Sequence, residues 1–188
     1  MRKLLMGLAV AVAGLALAGC GGNGDAGEPQ SEGAFDRAFI DAMVPHHEEA
    51  IAAAKAAKEA GLTQADLVQI ADDVIAAQQA EIDRMLEWRA DWYGSGEVDP
   101  AGAAAMGMSM EEMGMQHDPG DLSVAADVDS AFASMMIDHH AGAIQMAKLA
   151  LEQAEHPEIR QLAEAIIQAQ EGEIAIMEEH AGMTMDHS

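Results

Sequence analysis

The chain has 188 residues, which is enough for one domain with a hydrophobic core, and its formal net charge at pH 7 is −24. So negative a chain is unsuited to binding nucleic acid or an anionic lipid surface, whereas it stays soluble and attracts cations. Hydrophobic residues make up 50% of the chain and aromatic residues only 3%, and no alternating strand pattern is found, so the composition predicts an all-α helical bundle.

The first 19 residues are typical of a secretory signal peptide. Basic residues at positions 2 and 3 precede an apolar run that is too short to span a membrane as a mature helix. The run ends in Leu-Ala-Gly-Cys at Cys20, which resembles a bacterial lipobox and predicts cleavage before Cys20 with a lipid on its thiol. The alternative is a plain signal peptide with a stray cysteine. We favour the lipobox because Cys20 is the only cysteine and therefore forms no intramolecular disulfide.

Residues 20–33 have turn-forming composition and predict a lipidated, flexible tether. Residues 34–182 then show helical periodicity, with helices predicted at about 34–60, 63–92, 127–155 and 157–181. Thr63 is the expected N-cap of the second helix, and Pro45 predicts a bend in the first. Residues 94–122 form a Met-rich linker in which ordered regular structure is doubtful, and residues 183–188 form a Met/His tail.

The two halves of the predicted bundle repeat each other. A Met-x-x-His-His cassette occurs twice, 93 residues apart, at Met43, His46, His47, Met136, His139 and His140. A Gln-x-x-Glu-Ile-x-x-Met element also occurs twice, 92 residues apart, and contains Gln78, Glu81, Met85, Gln170, Glu173 and Met177. Neither hairpin can bury its apolar face alone. The sequence therefore predicts two duplicated helical hairpins that pack as a four-helix bundle.

Each cassette places one thioether and two imidazoles at neighbouring positions of a helix. Imidazole binds copper, zinc, iron and nickel, whereas thioether sulfur selects for Cu(I). A single copy would be better explained as core packing, with methionine as filler and histidine as a partly buried polar group. Two matching copies favour a metal site.

The repeated Gln-x-x-Glu element supplies a second set of candidates. Glu81 and Glu173 are equally compatible with being metal ligands or histidine-orienting acceptors and with being exposed residues at the edge of the apolar stripe. Met85 and Met177 are expected mainly as core residues and only secondarily as ligands.

Further soft donors occur in the linker and near the C-terminus. Outside the cytoplasm thiols are easily oxidised, so thioethers are the durable donors for Cu(I). The alternative is a disordered segment that happens to be rich in methionine. The auxiliary candidates are Met106, Met108, Met110, Met113, Met115, His117, His180, Met183, Met185 and His187.

Other chemistries have less support in the sequence. No histidine has a glutamate three residues before it, which argues against a di-iron carboxylate oxidase. Structural zinc favours cysteine ligands or a spaced Cys/His set, and the only cysteine is the predicted lipidation site. No serine lies in a nucleophile-elbow motif.

Taken together, the cassettes and the Gln-x-x-Glu elements resemble the family called domain of unknown function 305, over roughly residues 34–181. The resemblance implies a ferritin-like helical bundle, and some members of that family are secreted copper-binding proteins linked to copper tolerance. The ligands that it implies are Met43, His46, His47, Met136, His139 and His140. Pro45 departs from the residue type more usual between the methionine and the histidine pair.

We therefore predict an extracytoplasmic metal-binding lipoprotein, anchored outside the cytoplasmic membrane or in the periplasm. Its cargo is expected to be copper, chiefly Cu(I), with Ag(I) and other transition metals as further candidates. The metal would be sequestered for tolerance or transferred to a partner protein, and no enzymatic activity is expected. The alternatives are a metal-dependent redox enzyme of the bundle type and an envelope adaptor without metal. The sequence leaves the oligomeric state open.

Overall fold

The computed structural model describes residues 33–181, and these residues form helices joined by turns and one longer linker. In chain order the elements are α1 (Ala34–Ala60), α2 (Ala65–Tyr93), the short α3 (Gly102–Ala105), a 3-10 helix (Pro119–Val124), α4 (Val128–Gln153) and α5 (Pro157–Ala181). No strand occurs among these described residues. The predicted all-α class is confirmed.

The long helices form the two hairpins that the duplicated sequence predicts. Helix α1 pairs with α2 and α4 pairs with α5, while α1 also packs along α4. The first hairpin turns at Gly61, whose φ of 104° is a conformation that glycine adopts without steric cost. Its N–H donates to the carbonyls of Ala57 and Lys58, so these two carbonyls in the last turn of α1 have a hydrogen-bond donor.

Thr63 does not cap α2, so the capping role predicted for it is wrong. Helix α2 begins at Ala65, and its N-cap residue Gln64 makes no side-chain capping bond. The backbone N–H and the hydroxyl of Thr63 instead donate to the carboxylate of Asp129, at 2.8 Å and 2.5 Å. Because Asp129 lies in the first turn of α4, this contact joins the turn of the first hairpin to the start of the second.

The linker is more regular than its composition predicts, since it contains α3 and the 3-10 helix. Met113 is only 1% exposed, and the next residue, Gly114, has a φ of 70° that favours glycine. A Cβ atom added at Gly142 in α4 would overlap the carbonyl group of Met113. The linker therefore lies directly against α4, and it does so where α4 has no side chain.

The hydrophobic core consists of two clusters of buried residues. One contains Phe39, Met43 and Met85, and the other contains their counterparts Phe132, Met136 and Met177. All six side chains are 0% exposed. The duplicated halves thus supply equivalent large side chains to the two clusters.

Pro45 lies inside α1, which is continuous helix from Ala34 to Ala60. The bend expected there stays a prediction. Close to the proline, the buried Asp41 carboxylate accepts hydrogen bonds from Arg89 of α2, and Arg89 also donates to the carbonyl of Ser95. This buried ion pair connects α1, α2 and the beginning of the linker.

In the part of the chain from residue 33 to residue 181, no helix is both long enough and apolar enough to cross a membrane. The predicted signal peptide, Cys20 and the tail at 183–188 lie outside the described residues, as does nearly all of the tether. Those assignments stay predictions.

The contact between Gly142 and the linker can be tested by the substitution Gly142→Ala. The added methyl group overlaps the Met113 carbonyl, so the linker must shift, and we expect the free energy of unfolding to fall by about 1–3 kcal/mol. Gly172→Ala in α5 is the matched control, because nothing lies within 4 Å of a Cβ added there. The control should be stabilised by about 0.5–1 kcal/mol through helix propensity. Urea unfolding measures both, and equal stabilisation of the two variants would contradict the close approach.

Candidate metal centre

Four histidines lie side by side where α1 packs on α4. His46 and His47 belong to α1, His139 and His140 belong to α4, and each is at most 2% exposed. The rings of His46 and His139 are in contact, with centroids 3.7 Å apart and planes inclined by 39°. The ring of His47 lies 6.3 Å from that of His46, and the ring of His140 lies 6.4 Å from that of His139. We call these four residues the histidine row.

The row is buried because helical periodicity places it on the core side of each helix. In α1, Met43 precedes His46 by one turn and Ala50 follows by one turn, and both are 0% exposed. Met136 and Ala143 occupy the equivalent positions around His139 and are also 0% exposed. The duplication therefore presents the same face of α1 and α4 to each other.

A glutamate lies at each end of the row. The Nε2 atom of His47 lies 2.8 Å from Oε2 of Glu81 in α2, and Nε2 of His140 lies 2.6 Å from Oε2 of Glu173 in α5. A carboxylate can only accept, so a neutral imidazole in this contact carries its proton on Nε2 and a lone pair on Nδ1. The two glutamates are placed as acceptors that orient histidine, an arrangement that often supports metal-binding imidazoles.

The Nδ1 atoms of all four histidines are buried and have no hydrogen-bond partner. The Nε2 atom of His46 donates to the carbonyl of Met113 at 2.8 Å, which leaves the lone pair of this ring on Nδ1. His139 differs, because neither of its ring nitrogens has a partner. A buried polar group without a partner costs about 1–3 kcal/mol. Four neighbouring imidazoles with unpaired nitrogens are chemically suited to binding a metal ion.

Burial keeps the central histidines neutral. Desolvation is the main cause that lowers the pKa of His46 from 6.5 to about 3, and the charge of the nearby His47 is the second cause. The hydrogen bond to the Met113 carbonyl raises the pKa, but by less. Desolvation, followed by His46 and His140, lowers the pKa of His139 well below 6.5. Neutral imidazole is the form that binds metal, so these two rings need not lose a proton to do so near pH 7.

The thioethers of the two cassettes are buried in the core. Met43 lies one turn before His46 and Met136 one turn before His139, but the two methionines belong to different core clusters. Among residues 33–181, no three side chains drawn from His, Cys, Asp and Glu are arranged to hold one ion. That absence concerns His, Cys, Asp and Glu side chains, and it does not include the thioethers of methionine. Met85 and Met177 are likewise fully buried, one in each cluster.

The auxiliary candidates in the linker line two cavities. Met106 and Met108 contribute to a cavity of about 450 Å³ that also contacts Lys148 of α4. The second cavity has a volume of about 200 Å³ and is lined, next to Pro45, by Met110, Met113 and Met115. The linker therefore presents its thioethers in two groups.

The remaining auxiliary candidates contact other carboxylates or lie outside the described residues. His117 is 37% exposed and pairs with Asp138. His180 is 8% exposed, and its Nε2 atom lies 2.9 Å from the carboxylate of Asp66. Met183, Met185, His187 and Cys20 lie outside residues 33–181.

Several contacts around the row were not predicted from the sequence. Met113 was predicted through its sulfur, yet it is its carbonyl group that contacts His46. The absence of a side chain at Gly142 gives the Met113 carbonyl the space for that contact. In the first copy Glu49 stands at the equivalent position, and this difference between the copies was the sequence feature that could have indicated the contact. Gln78 and Gln170 are buried beside the glutamates, and each has an amide oxygen without a partner. The sequence feature that could have identified them is the duplication of the Gln-x-x-Glu element.

The duplicated helical bundle and its paired histidines define the class of protein to which this chain belongs. The family model described as domain of unknown function (DUF305) matches residues 36–181. The chain is therefore a member of the DUF305 family, and the resemblance noted in the sequence is confirmed.

Solved structures support the same assignment. The structure of CopM in the Cu(II)-bound form is 32% identical, with a TM-score of 0.68, and the match covers 78% of this chain and 95% of that chain. CopM in the Cu(I)-bound form is 29% identical, with a TM-score of 0.64, and the match covers 77% and 93% of the two chains. A DUF305 fragment from Deinococcus radiodurans is 27% identical, with a TM-score of 0.62, and the match covers 82% and 99%. No curated protein sequence matches the chain.

The neutral histidines predict how the stability of the metal-free protein depends on pH. The pKa of His46 is lowered in the folded state, so below pH 6.5 the unfolded chain takes up a proton that the folded chain does not take up until about pH 3. Stability must therefore fall as the pH is lowered through this range, with a slope that approaches about 1.4 kcal/mol per pH unit for each such histidine below about pH 5.5. His139 adds a contribution of the same sign.

Urea unfolding between about pH 6.5 and pH 5 measures this slope above the range in which carboxylates titrate. His139→Leu removes one of the two groups, so its slope should be shallower by roughly 1 kcal/mol per pH unit averaged over this range. Identical slopes for the variant and the unchanged protein would contradict the burial of a neutral His139.

Proposed function

We propose that this protein is an extracytoplasmic copper-binding protein that takes Cu(I), and also Ag(I), as cargo at the histidine row. The observation that carries this proposal is the set of four buried Nδ1 atoms without partners. Three of the four rings have their other nitrogen fixed by Glu81, Glu173 or the Met113 carbonyl, so the lone pairs are preorganised for an ion.

The donor set favours a soft ion of low coordination number. The row offers imidazole nitrogens, and each cassette adds a thioether within one helical turn. Imidazole accepts copper, and thioether sulfur favours Cu(I) over harder divalent ions. Because no three His, Cys, Asp and Glu side chains among residues 33–181 converge on one point, a tetrahedral zinc site built from those residue types has less support.

The related structures support the same cargo. CopM is described in Cu(I)-bound, Cu(II)-bound and Ag-bound forms, and its Cu(II)-bound form is 32% identical to this chain. We carry copper and silver over to this protein because both cassettes are complete and all of their histidines are buried.

We propose binding without catalytic turnover, in a lipoprotein attached through Cys20 and located outside the cytoplasm. Sequestration and transfer both suit such a protein, and transfer would require a partner protein that accepts the metal. The two groups of linker thioethers, Met106 with Met108 and Met110 with Met113 and Met115, line cavities outside the row. They would serve as collecting sites from which the ion passes inward.

The double variant His46→Leu/His139→Leu tests the row directly. Leucine keeps the core filled while it removes the two central imidazoles, so we expect the tight Cu(I) site to be lost. Competition of the metal-free protein with a chromophoric Cu(I) chelator measures the stoichiometry and affinity. His156→Gln is the control, because His156 is the one histidine outside the predicted ligand set. Unchanged tight binding in the double variant would rule out the row as the copper site.

The double variant Glu81→Gln/Glu173→Gln tests the role of the carboxylates. An amide can still contact His47 and His140, but it no longer enforces the Nε2–H tautomer. We expect Cu(I) affinity to fall about ten- to a hundred-fold while the number of ions bound at saturation stays the same. A lower stoichiometry would identify the glutamates as direct ligands, and an unchanged affinity would show that they do not orient the row.

A further inference from the structure

A small cavity lies between α2 and α5, on the helices that carry the two glutamates. It has a volume of about 30 Å³, and its lining repeats the duplication, with Ala77, Gln78 and Glu81 from α2 and Ala169, Gln170 and Glu173 from α5. The two alanines leave space where larger side chains would fill the gap. A cavity of this size can hold a single water molecule or a single ion.

The two glutamines that line this cavity have unpaired amide oxygens. Gln78 is 4% exposed and Gln170 is 3% exposed, and the Oε1 atom of each is buried without a hydrogen-bond partner. Both residues line the cavity. A buried amide oxygen without a donor or a cation is unfavourable. The same unsatisfied oxygen occurs at the equivalent position of both repeats, so one ligand bound in the cavity would satisfy both.

The charge of the cavity determines what kind of occupant fits. Glu81 and Glu173 each use Oε2 to contact a histidine, which leaves Oε1 of each carboxylate available. No lysine or arginine is among the residues that line the cavity. Two glutamates and two glutamines line one small space without a basic residue, and this charge attracts a cation and repels an anion.

We propose that this cavity, which we call the oxygen site, binds one divalent cation through Gln78, Glu81, Gln170 and Glu173. Oxygen ligands favour hard divalent ions, and water molecules complete the coordination of such ions in proteins. The donors differ from the nitrogen and sulfur donors proposed for copper, so the oxygen site is a second class of metal site in the same bundle. Glu81 and Glu173 also contact the histidine row through Oε2, so the two sites are adjacent, but the oxygen site does not require copper for its occupancy.

Titration with Mn²⁺, followed by electron paramagnetic resonance of the free ion, tests the oxygen site. The measurement is made at about 0.15 M salt, which screens weak binding to the acidic surface. We expect one ion bound per chain. Gln78→Leu/Gln170→Leu should weaken that binding by roughly tenfold or more. Gln79→Leu/Gln168→Leu is the matched control, because both of these glutamines are exposed on the same helices, and it should bind as the unchanged protein does.

Thermal unfolding provides a second measurement that remains informative if binding is weak. Leucine at positions 78 and 170 removes the two unpaired oxygens, so the metal-free variant should melt at the same or a higher temperature. The rise in melting temperature that Mn²⁺ causes in the unchanged protein should disappear in this variant. If Mn²⁺ acts equally on both proteins, the cavity holds only water and the proposal is overturned.

One further variant separates this proposal from the proposed copper function. His46→Leu/His139→Leu leaves all four ligands of the oxygen site in place, so it should bind Mn²⁺ with the affinity of the unchanged protein. Loss of Mn²⁺ binding in that variant would overturn an independent oxygen site. Retained Cu(I) binding in Gln78→Leu/Gln170→Leu, together with lost Mn²⁺ binding, would support two separate sites.

Discussion

The burial of four imidazoles between α1 and α4 is the constraint on which the rest of the structure depends. Each ring brings two nitrogens into the core, and every unpaired one reduces stability. Glu81, Glu173 and the Met113 carbonyl satisfy one nitrogen on three of the rings. Helices α2 and α5 must therefore place a glutamate beside His47 and His140, and the linker must bring the Met113 carbonyl to His46. The Nδ1 atoms of all four rings and Nε2 of His139 stay unpaired.

Much of the fold could be predicted from the sequence because its determinants are local or duplicated. Helical periodicity gave the four long helices, and the end of α1 at Gly61 followed from the chemistry of that one residue. The 93-residue repeat identified His46, His47, His139 and His140, which the structure brings together. The repeat made these residues candidates because two matching polar pairs within an apolar helix face are unlike ordinary core packing.

The features that the sequence did not predict depend on partners far away in the chain. The capping pattern at Thr63 looked complete, but Asp129 binds its hydroxyl instead. The Met-rich linker lacks periodicity, and its position follows from the space above Gly142. Sequence alone left Glu81 and Glu173 as ligands, orienting groups or surface residues. The contacts with His47 and His140 exclude the exposed-edge interpretation, because they bring both carboxylates against the histidine row.

The contact of His46 with His139, at a centroid distance of 3.7 Å, joins equivalent residues from the two repeats. Each hairpin therefore contributes half of one arrangement, and neither half encloses its histidines without the other. A shorter ancestral chain with a single hairpin could have built the same row by self-association, with two identical subunits related by a twofold axis. In the single chain the two halves are no longer equivalent, because His46 contacts the Met113 carbonyl and His139 has no hydrogen-bond partner.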